Sequence, residues 1–315
     1  MRALVTGGAG FIGSTLVDRL LAEGHAVDVL DNLSTGSLAN LAAARSDRAH
    51  DFSFHQIDVR DPSVMELIDR RRPDVVFHLA AQADVRVSVA RPVFDAEVNV
   101  IGGLHVLEGA RQAGAGKVVF ASSGGTIYGD VDPAELPAAE TRPQRPLSPY
   151  GVAKKAMGDY LFAYRELHAL EYTALALANV YGPRQDPHGE AGVVAIFAGR
   201  LLSGEACTIF GDGTQTRDFV FVDDVVDAFV RAADRGSGLL ANVGTGVETS
   251  VNELYAAMAR AAGVDTPAVM APARPGELAR SALDPSRAGL YLGWEPWTDI
   301  DTGTAAVLDW FRQRG

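Results

Sequence analysis

Tyr150 and Lys154 stand four residues apart in the segment Tyr150-Gly151-Val152-Ala153-Lys154. At that spacing a phenol and an ammonium share one face of a helix. Ser148 and Pro149 have the residue types of an N-cap and a first-turn proline, so a helix is expected to begin there. A cation held near a phenol favours the phenolate, which makes tyrosine a usable general base near neutral pH. Lys155 lies about 100° further round such a helix, so Lys154 is the better partner. The same spacing arises by chance in many helices. A surface lysine beside a half-buried tyrosine is the plain alternative, and the choice rests on what the preceding residues build.

They build a dinucleotide site. Met1 to Thr6 form a short apolar run, followed by Gly7-Gly8-Ala9-Gly10-Phe11-Ile12-Gly13. Glycines at 7, 10 and 13 allow a tight turn and a close approach of backbone to a pyrophosphate. Ile12, Leu16, Val17, Leu20 and Leu21 then mark one face of a helix that stops at Gly24. The N-terminus of that helix offers free N–H groups and a positive dipole end to phosphates. A second apolar run, Ala26 to Leu30, ends at Asp31, 18 residues beyond Gly13. A carboxylate there can bind the adenosine ribose hydroxyls and would repel a 2′-phosphate, so NAD is expected rather than NADP.

The elements that must position these groups alternate. Strand-like runs recur at 2–6, 26–30, 52–57, 75–80, 117–121 and 173–177, with helix-like segments at 11–23, 62–72, 93–113 and 150–168. The pattern predicts an α/β fold with a doubly wound, Rossmann-like parallel sheet covered on both faces. Ligands bind such sheets beyond the C-terminal strand ends. Asp58-Val59, Ala80-Ala81-Gln82, Ser122-Ser123 and Asn179 fall there. From about residue 180 the chain is richer in Gly, Pro and Arg, and reads as a smaller α/β substrate lobe. The expected division is 1–178 for the dinucleotide domain and mainly 179–315 for the lobe, with a segment near 223–245 returning to the first domain.

Composition narrows the classes. The chain has 315 residues, 47% of them hydrophobic, enough for a large core. A formal net charge of −12 argues against a nucleic-acid partner. Cys207 is the single cysteine, so no intrachain disulfide or cysteine metal cluster can form. No segment has the length of a membrane span or the pattern of a signal peptide, so a cytoplasmic protein without membrane contact is expected.

Taken together, TGGAGFIG at 6–13, DNLSTG at 31–36, HLAAQ at 78–82, Asn99, SSGGTIYG at 122–129, SPYGVAKK at 148–155, NVYGPR at 179–184, FGDGTQTRDFVFVDD at 210–224 and RPGE at 274–277 resemble the extended short-chain dehydrogenases. Among these the chain looks most like the UDP-hexose 4-epimerases, with a further likeness to actinobacterial UDP-glucuronate 4-epimerases of the moenomycin-biosynthetic type. The resemblance implies that Gly7, Gly10, Phe11, Ile12 and Gly13 hold the NAD pyrophosphate. It gives the adenosine ribose to Asp31, Asn32 and Ser34, and the adenine to Asp58 and Val59. Ala80, Ala81 and Gln82 would line the nicotinamide side. Tyr150 would be the base, and Lys154 would bind the nicotinamide ribose. Asn179, Arg217 and Arg274 would grip the UDP. Asn99 has two readings of equal weight, one on the cofactor and one capping or bridging backbone in its helix. A homodimer built on the helices at 93–113 and 150–168 is implied by the same likeness.

One departure matters. The family usually carries Ser or Thr four residues before the tyrosine of its Tyr-Gly motif, here Tyr128, and this chain has Gly124. On an extended chain Thr126 would face the same side and is the natural substitute, with Ser123 in reserve. Related 4,6-dehydratases carry Asp-Glu before the motif, and UDP-glucuronate decarboxylases carry a glutamate. Gly125 and Thr126 stand there instead, which leaves epimerisation of a UDP-sugar at C4. Arg86, in AAQADVR, could neutralise a C6 carboxylate, or equally sit on a phosphate or a surface acid; the expectation leans to UDP-glucuronate, with UDP-glucose/UDP-galactose as the alternative. A catalytically inactive nucleotide sensor on the same fold is the rival from another class.

Overall fold

A computed structural model describes residues 1–46, 51–187, 192–273 and 278–314. The first half runs β1 (Arg2–Thr6), α1 (Phe11–Ala22), β2 (Ala26–Asp31), α2 (Ala42–Ser46), β3 (Phe52–Gln56), α3 (Ser63–Arg71) and β4 (Val75–His78). It continues α4 (Val85–Ala90), α5 (Pro92–Ala96), α6 (Gly102–Ala113), β5 (Lys117–Ser123), α7 (Gly124–Ile127), α8 (Pro149–His168) and β6 (Glu171–Leu177). The second half begins β7 (Asn179–Tyr181), α9 (Val193–Ser203), β8 (Thr208–Phe210), β9 (Thr216–Arg217), β10 (Phe219–Phe221) and α10 (Val222–Ala232). It ends β11 (Leu239–Val243), β12 (Thr249–Ser250), α11 (Val251–Ala262), β13 (Val269–Ala271), α12 (Ser286–Leu292) and α13 (Ile300–Arg312).

Seven strands form one sheet in the order β11-β6-β5-β4-β1-β2-β3, and every pairing is parallel. Successive residues point to opposite faces. Val5, Phe77, Val119 and Leu175 pack on one side with Leu16 and Leu20 of α1 and Val225 and Phe229 of α10. Their neighbours Leu4, Val76, Val118 and Ala174 pack on the other with Ile68 of α3, Val106 and Leu107 of α6, and Leu161 of α8. Both faces are thus covered, the condition for an all-parallel sheet. β11 brings part of the second half back to the sheet edge beside β6. The remaining short strands pair two by two: β7 with β10, β9 with β12, and β8 with β13.

The apolar run at 93–113 is not one continuous α-helix. α5 leads into a π turn at Glu97–Ile101 before α6 begins. Asn99 sits in that turn, and the extra residue rotates its side chain towards the loop after β4. The 3.6-residue periodicity continues on either side, so the sequence pattern does not reveal the turn.

Candidate active site

The loop after β1 has the geometry that its glycines suggest. Gly7 adopts φ +70°, and a β-carbon on it would lie 2.8 Å from the Ala80 backbone nitrogen. A β-carbon on Gly13 would lie 2.1 Å from the Gly7 carbonyl oxygen. Gly10 caps α1 without a side-chain hydrogen bond, which leaves the helix N-terminus open to an anion. Asp31, at the end of β2, accepts from Ala9 N–H (2.9 Å) and Leu33 N–H (2.8 Å). A carboxylate has about four acceptor positions, so two remain for ribose hydroxyls.

These groups line a cleft of about 450 Å³ along the C-terminal strand ends. Gly7, Gly10, Phe11, Ile12 and Gly13 form one wall, with Asp31, Asn32, Ser34, Asp58 and Val59 beyond them. Ala80, Ala81 and Gln82 line the other end with Ser122, Tyr150 and Lys154. Asn32 donates to Asp58 (2.8 Å), and the Arg60 guanidinium beside Asp58 holds its carboxyl well below the usual range. Arg60 and Phe94 also line the cleft and carry no motif that marks them. The glycine turn, the acceptor at Asp31 and the Tyr150–Lys154 pair along one cleft fit NAD.

α8 begins as its sequence indicates. Ser148 accepts from Gly151 N–H at 3.1 Å, and Pro149 occupies the first turn. Tyr150 and Lys154 are 8% and 4% exposed, so the surface-lysine alternative fails. Lys154 Nζ donates to the Ala121 carbonyl (2.8 Å) and lies 4.8 Å from the Phe120 ring centre and 5.6 Å from that of Tyr150. Beneath it His78 is buried and hydrogen-bonded to Thr6 Oγ1 at 2.7 Å. Burial, and then the Lys154 charge, hold the imidazole down to about 3. A neutral histidine adds no second cation to the floor of the site. Thr6 Oγ1 in turn accepts from Ala80 N–H (3.2 Å), so the pair also fixes the nicotinamide-side loop.

Three residues with a cofactor or substrate reading do not line the cleft. Asn99 is 3% exposed and does not line the cleft; it accepts from Gln82 N–H (3.0 Å) and donates to the Gln82 carbonyl (2.9 Å) and to Asp95 (2.9 Å). Its amide clamps the Gln82 loop from behind, bridging backbone of the loop after β4 rather than of its own helix. Arg86 lies outside the cleft with its side chain 77% exposed, forked onto the Asp84 carboxylate at 3.1 and 2.7 Å. Asp84 caps α4, and that cap turns Arg86 outward. Thr126 is not on extended chain. β5 ends at Ser123 and α7 starts at Gly124, so the alternation argument does not apply, and Thr126 Oγ1 donates back to the Ser123 carbonyl at 3.4 Å. Ser122, near the end of β5, is the hydroxyl here that lines the cleft; the sequence places it at the ligand edge without giving it a role.

The missing hydroxyl at 124 has a steric correlate. A β-carbon on Gly124 would lie 2.3 Å from Leu283 Cδ1. Leu283, 1% exposed, fills that space from the second half of the chain.

Asn179 and Arg217 lie in a second cavity of about 410 Å³, with Tyr181, Phe197, Arg200 and Phe210. Leu177, at the end of β6, lines the cleft, and Asn179, two residues on, lines the cavity. Arg274 and the rest of RPGE lie outside the described residues. Among the described residues no three His, Cys, Asp or Glu side chains group as a metal would require. No described helix is long and apolar enough to cross a membrane.

A doubly wound sheet with a glycine cradle, a ribose acceptor and a Tyr–Lys pair at its switch edge defines a nicotinamide-dinucleotide enzyme of the short-chain dehydrogenase type. Residues 3–244 match the NAD dependent epimerase/dehydratase family, and the chain belongs to that family, with NAD as its cofactor. It is 53% identical to a UDP-glucose 4-epimerase of Mycolicibacterium smegmatis, over 100% of this chain and 99% of the relative. The crystal structure of the Thermotoga maritima UDP-glucose 4-epimerase with UDP-glucose superposes with a TM-score of 0.95 at 44% identity, covering 100% of this chain and 99% of that one. The Thermus thermophilus UDP-glucose 4-epimerase in complex with NAD gives 0.91 at 46% identity, covering 99% of each chain.

Proposed function

We propose that the protein is a UDP-sugar 4-epimerase that interconverts UDP-glucose and UDP-galactose. The observation that carries this reading is the presence of two spaces whose linings meet in sequence at Leu177 and Asn179: a cleft holding Tyr150 and Lys154, and a cavity holding Asn179 and Arg217. The first suits a nicotinamide beside a sugar carbon. The second suits a nucleoside diphosphate, because a planar guanidinium makes paired charge-assisted bonds to phosphate. The full-length likeness to enzymes named UDP-glucose 4-epimerases supports the same reading.

In this mechanism Tyr150 removes the proton from the sugar 4-OH. Lys154 holds the positive charge that favours the phenolate and anchors the nicotinamide ribose. When bound, NAD supplies a reversible acceptor for the C4 hydride, so inversion involves no net redox change. Ser122 or Ser123 at the end of β5 is the nearest source of a hydroxyl to the sugar oxygen, since position 124 carries none. Asn179 and Arg217 retain the UDP while the 4-keto sugar turns its other face to the nicotinamide, an instance of remote binding serving catalysis. No acidic pair stands beside Tyr150 in the β5–α7 turn, so elimination of water is not served.

UDP-glucuronate is the weaker substrate reading. It needs a cation for the C6 carboxylate, and Arg86 is committed to Asp84 on the surface. Of the cations lining the cleft, Lys154 serves the cofactor side and Arg60 sits with Asp58 at the adenine end. Incubation of the purified protein with each UDP-sugar, followed by separation of C4 epimers, tests the choice. Conversion of UDP-glucuronate in preference to UDP-glucose would reverse it.

Residues 179–315 form mainly the substrate side in this reading, with 223–245 serving the sheet. The protein works as a homodimer through α5 and α8, which carry Val93, Val152 and Phe162 exposed at 71%, 53% and 55%.

A further inference from the structure

Asp218 joins β9 to β10 and is 1% exposed, yet among the described residues it pairs with no cation, and it belongs to no step of the mechanism. Its carboxylate is filled by donors from two distant segments. Oδ1 accepts from Thr245 N–H (2.8 Å) and Thr245 Oγ1–H (2.7 Å). Oδ2 accepts from Gly246 N–H (3.1 Å) and Leu283 N–H (3.1 Å). The Asp218 carbonyl accepts from Asn179 N–H at 2.9 Å. A β-carbon on Gly244 would lie 2.5 Å from Oδ2, so the chain at that point is glycine where the carboxylate presses in.

What these bonds connect is more informative than their number. On one side of Asp218 are Arg217, its chain neighbour, and Asn179, its backbone partner, both in the nucleotide cavity. On the other side is Leu283, whose side chain occupies the space beside Gly124. Leu283 is further held by Ala138, through Ala138 N–H to the Ala282 carbonyl (2.8 Å) and Asp284 N–H to the Ala138 carbonyl (2.9 Å). Gly124 opens the turn that follows Ser122 and Ser123 and carries Thr126. That turn packs against α8 beside the base: a β-carbon on Gly151, next to Tyr150, would lie 2.8 Å from the Thr126 carbonyl oxygen.

We propose that Asp218 is a positioning residue that couples nucleotide binding to the catalytic turn, acting through Leu283 on Gly124. The inference rests on the UDP-sugar reading above. Occupation of the cavity fixes Arg217 and Asn179, Asp218 fixes the Leu283 backbone, and the Leu283 side chain seats the turn against α8. Loss of the Gly124 β-carbon is what admits Leu283, so the departure at 124 becomes a mechanical contact in place of a hydroxyl. A carboxamide cannot replace the carboxylate. Its NH₂ would face N–H donors in either orientation, Thr245 on one side or Gly246 and Leu283 on the other.

The test is amide hydrogen exchange of residues 122–129 with and without UDP, in the wild-type protein with its NAD, in Asp218→Asn and in Leu283→Ala. UDP is expected to slow exchange in the wild-type turn by about tenfold, the middle of the usual coupling range. That protection is expected to vanish in Leu283→Ala while the UDP dissociation constant stays within about twofold. In Asp218→Asn both the protection and the affinity are expected to fall by about tenfold. Should Asp218→Asn not fold, Leu283→Ala carries the same prediction. UDP binding to the wild type without protection of 122–129 would overturn the coupling and leave the substrate reading intact, as would protection that survives in Leu283→Ala. Failure of the wild type to bind UDP at all would overturn the substrate reading and the coupling with it.

Discussion

Tyr150 is buried beside one ammonium, with its ring facing a cleft that ends at Ala80–Gln82. Replacing its hydroxyl with hydrogen removes a proton acceptor and no packing. Tyr150→Phe is predicted to lower kcat by about 10² to 10⁴-fold while NAD stays bound, measured by turnover and by cofactor released on denaturation. Arg86→Ala is predicted to leave kcat/KM for UDP-glucose within about twofold, because an exposed ion pair contributes little; a tenfold loss would return that residue to the sugar. The contrast shows what a sequence displays at this scale. Tyr150, Lys154 and Asp31 are legible because helix spacing and strand ends dictate where they point. Arg86 and Asn99 are not, because one is turned away by the Asp84 cap and the other is rotated by a π turn. Leu283 and Asp218 were beyond reach of spacing, since their partners lie across long stretches of chain.

The elements depend on close approaches that single side chains would prevent. α1 can meet the β1 loop because Gly13 has no β-carbon to strike the Gly7 carbonyl, 2.1 Å away. Gly13→Ala is therefore predicted to expel NAD, seen as loss of bound cofactor in a protein that keeps its helical circular dichroism. Full occupancy in that variant would show that the loop is not the pyrophosphate cradle. Most of the sheet could be read from apolar runs, and the α8 start from Ser148 and Pro149. The β5–α7 turn could not. Ser122 to Thr126 carry strand and turn residue types alike, and the Leu283 side chain that occupies the place of a β-carbon on Gly124 comes from a distant part of the chain.

At the scale of the molecule, burial makes two physical demands. His78 is held down to about 3, against an ordinary value of 6.5. Between those values the unfolded chain binds a proton that the folded chain does not, so this group's contribution is full above pH 6.5 and is lost as pH falls toward 3. The slope is up to about 1.4 kcal/mol per pH unit. Denaturant titrations over that range should show His78→Asn losing stability less steeply than the wild type by about one proton. The second demand is the apolar surface of α8. Phe162→Glu is predicted to shift sedimentation from dimer to monomer with the core intact. The central claim is inversion at C4 by a hydride that leaves and returns on the same cofactor. UDP-glucose labelled with deuterium at C4, incubated without added nicotinamide, tests it directly. The account predicts UDP-galactose that keeps the deuterium on C4; absence of conversion, or product whose label has exchanged with water, would contradict it.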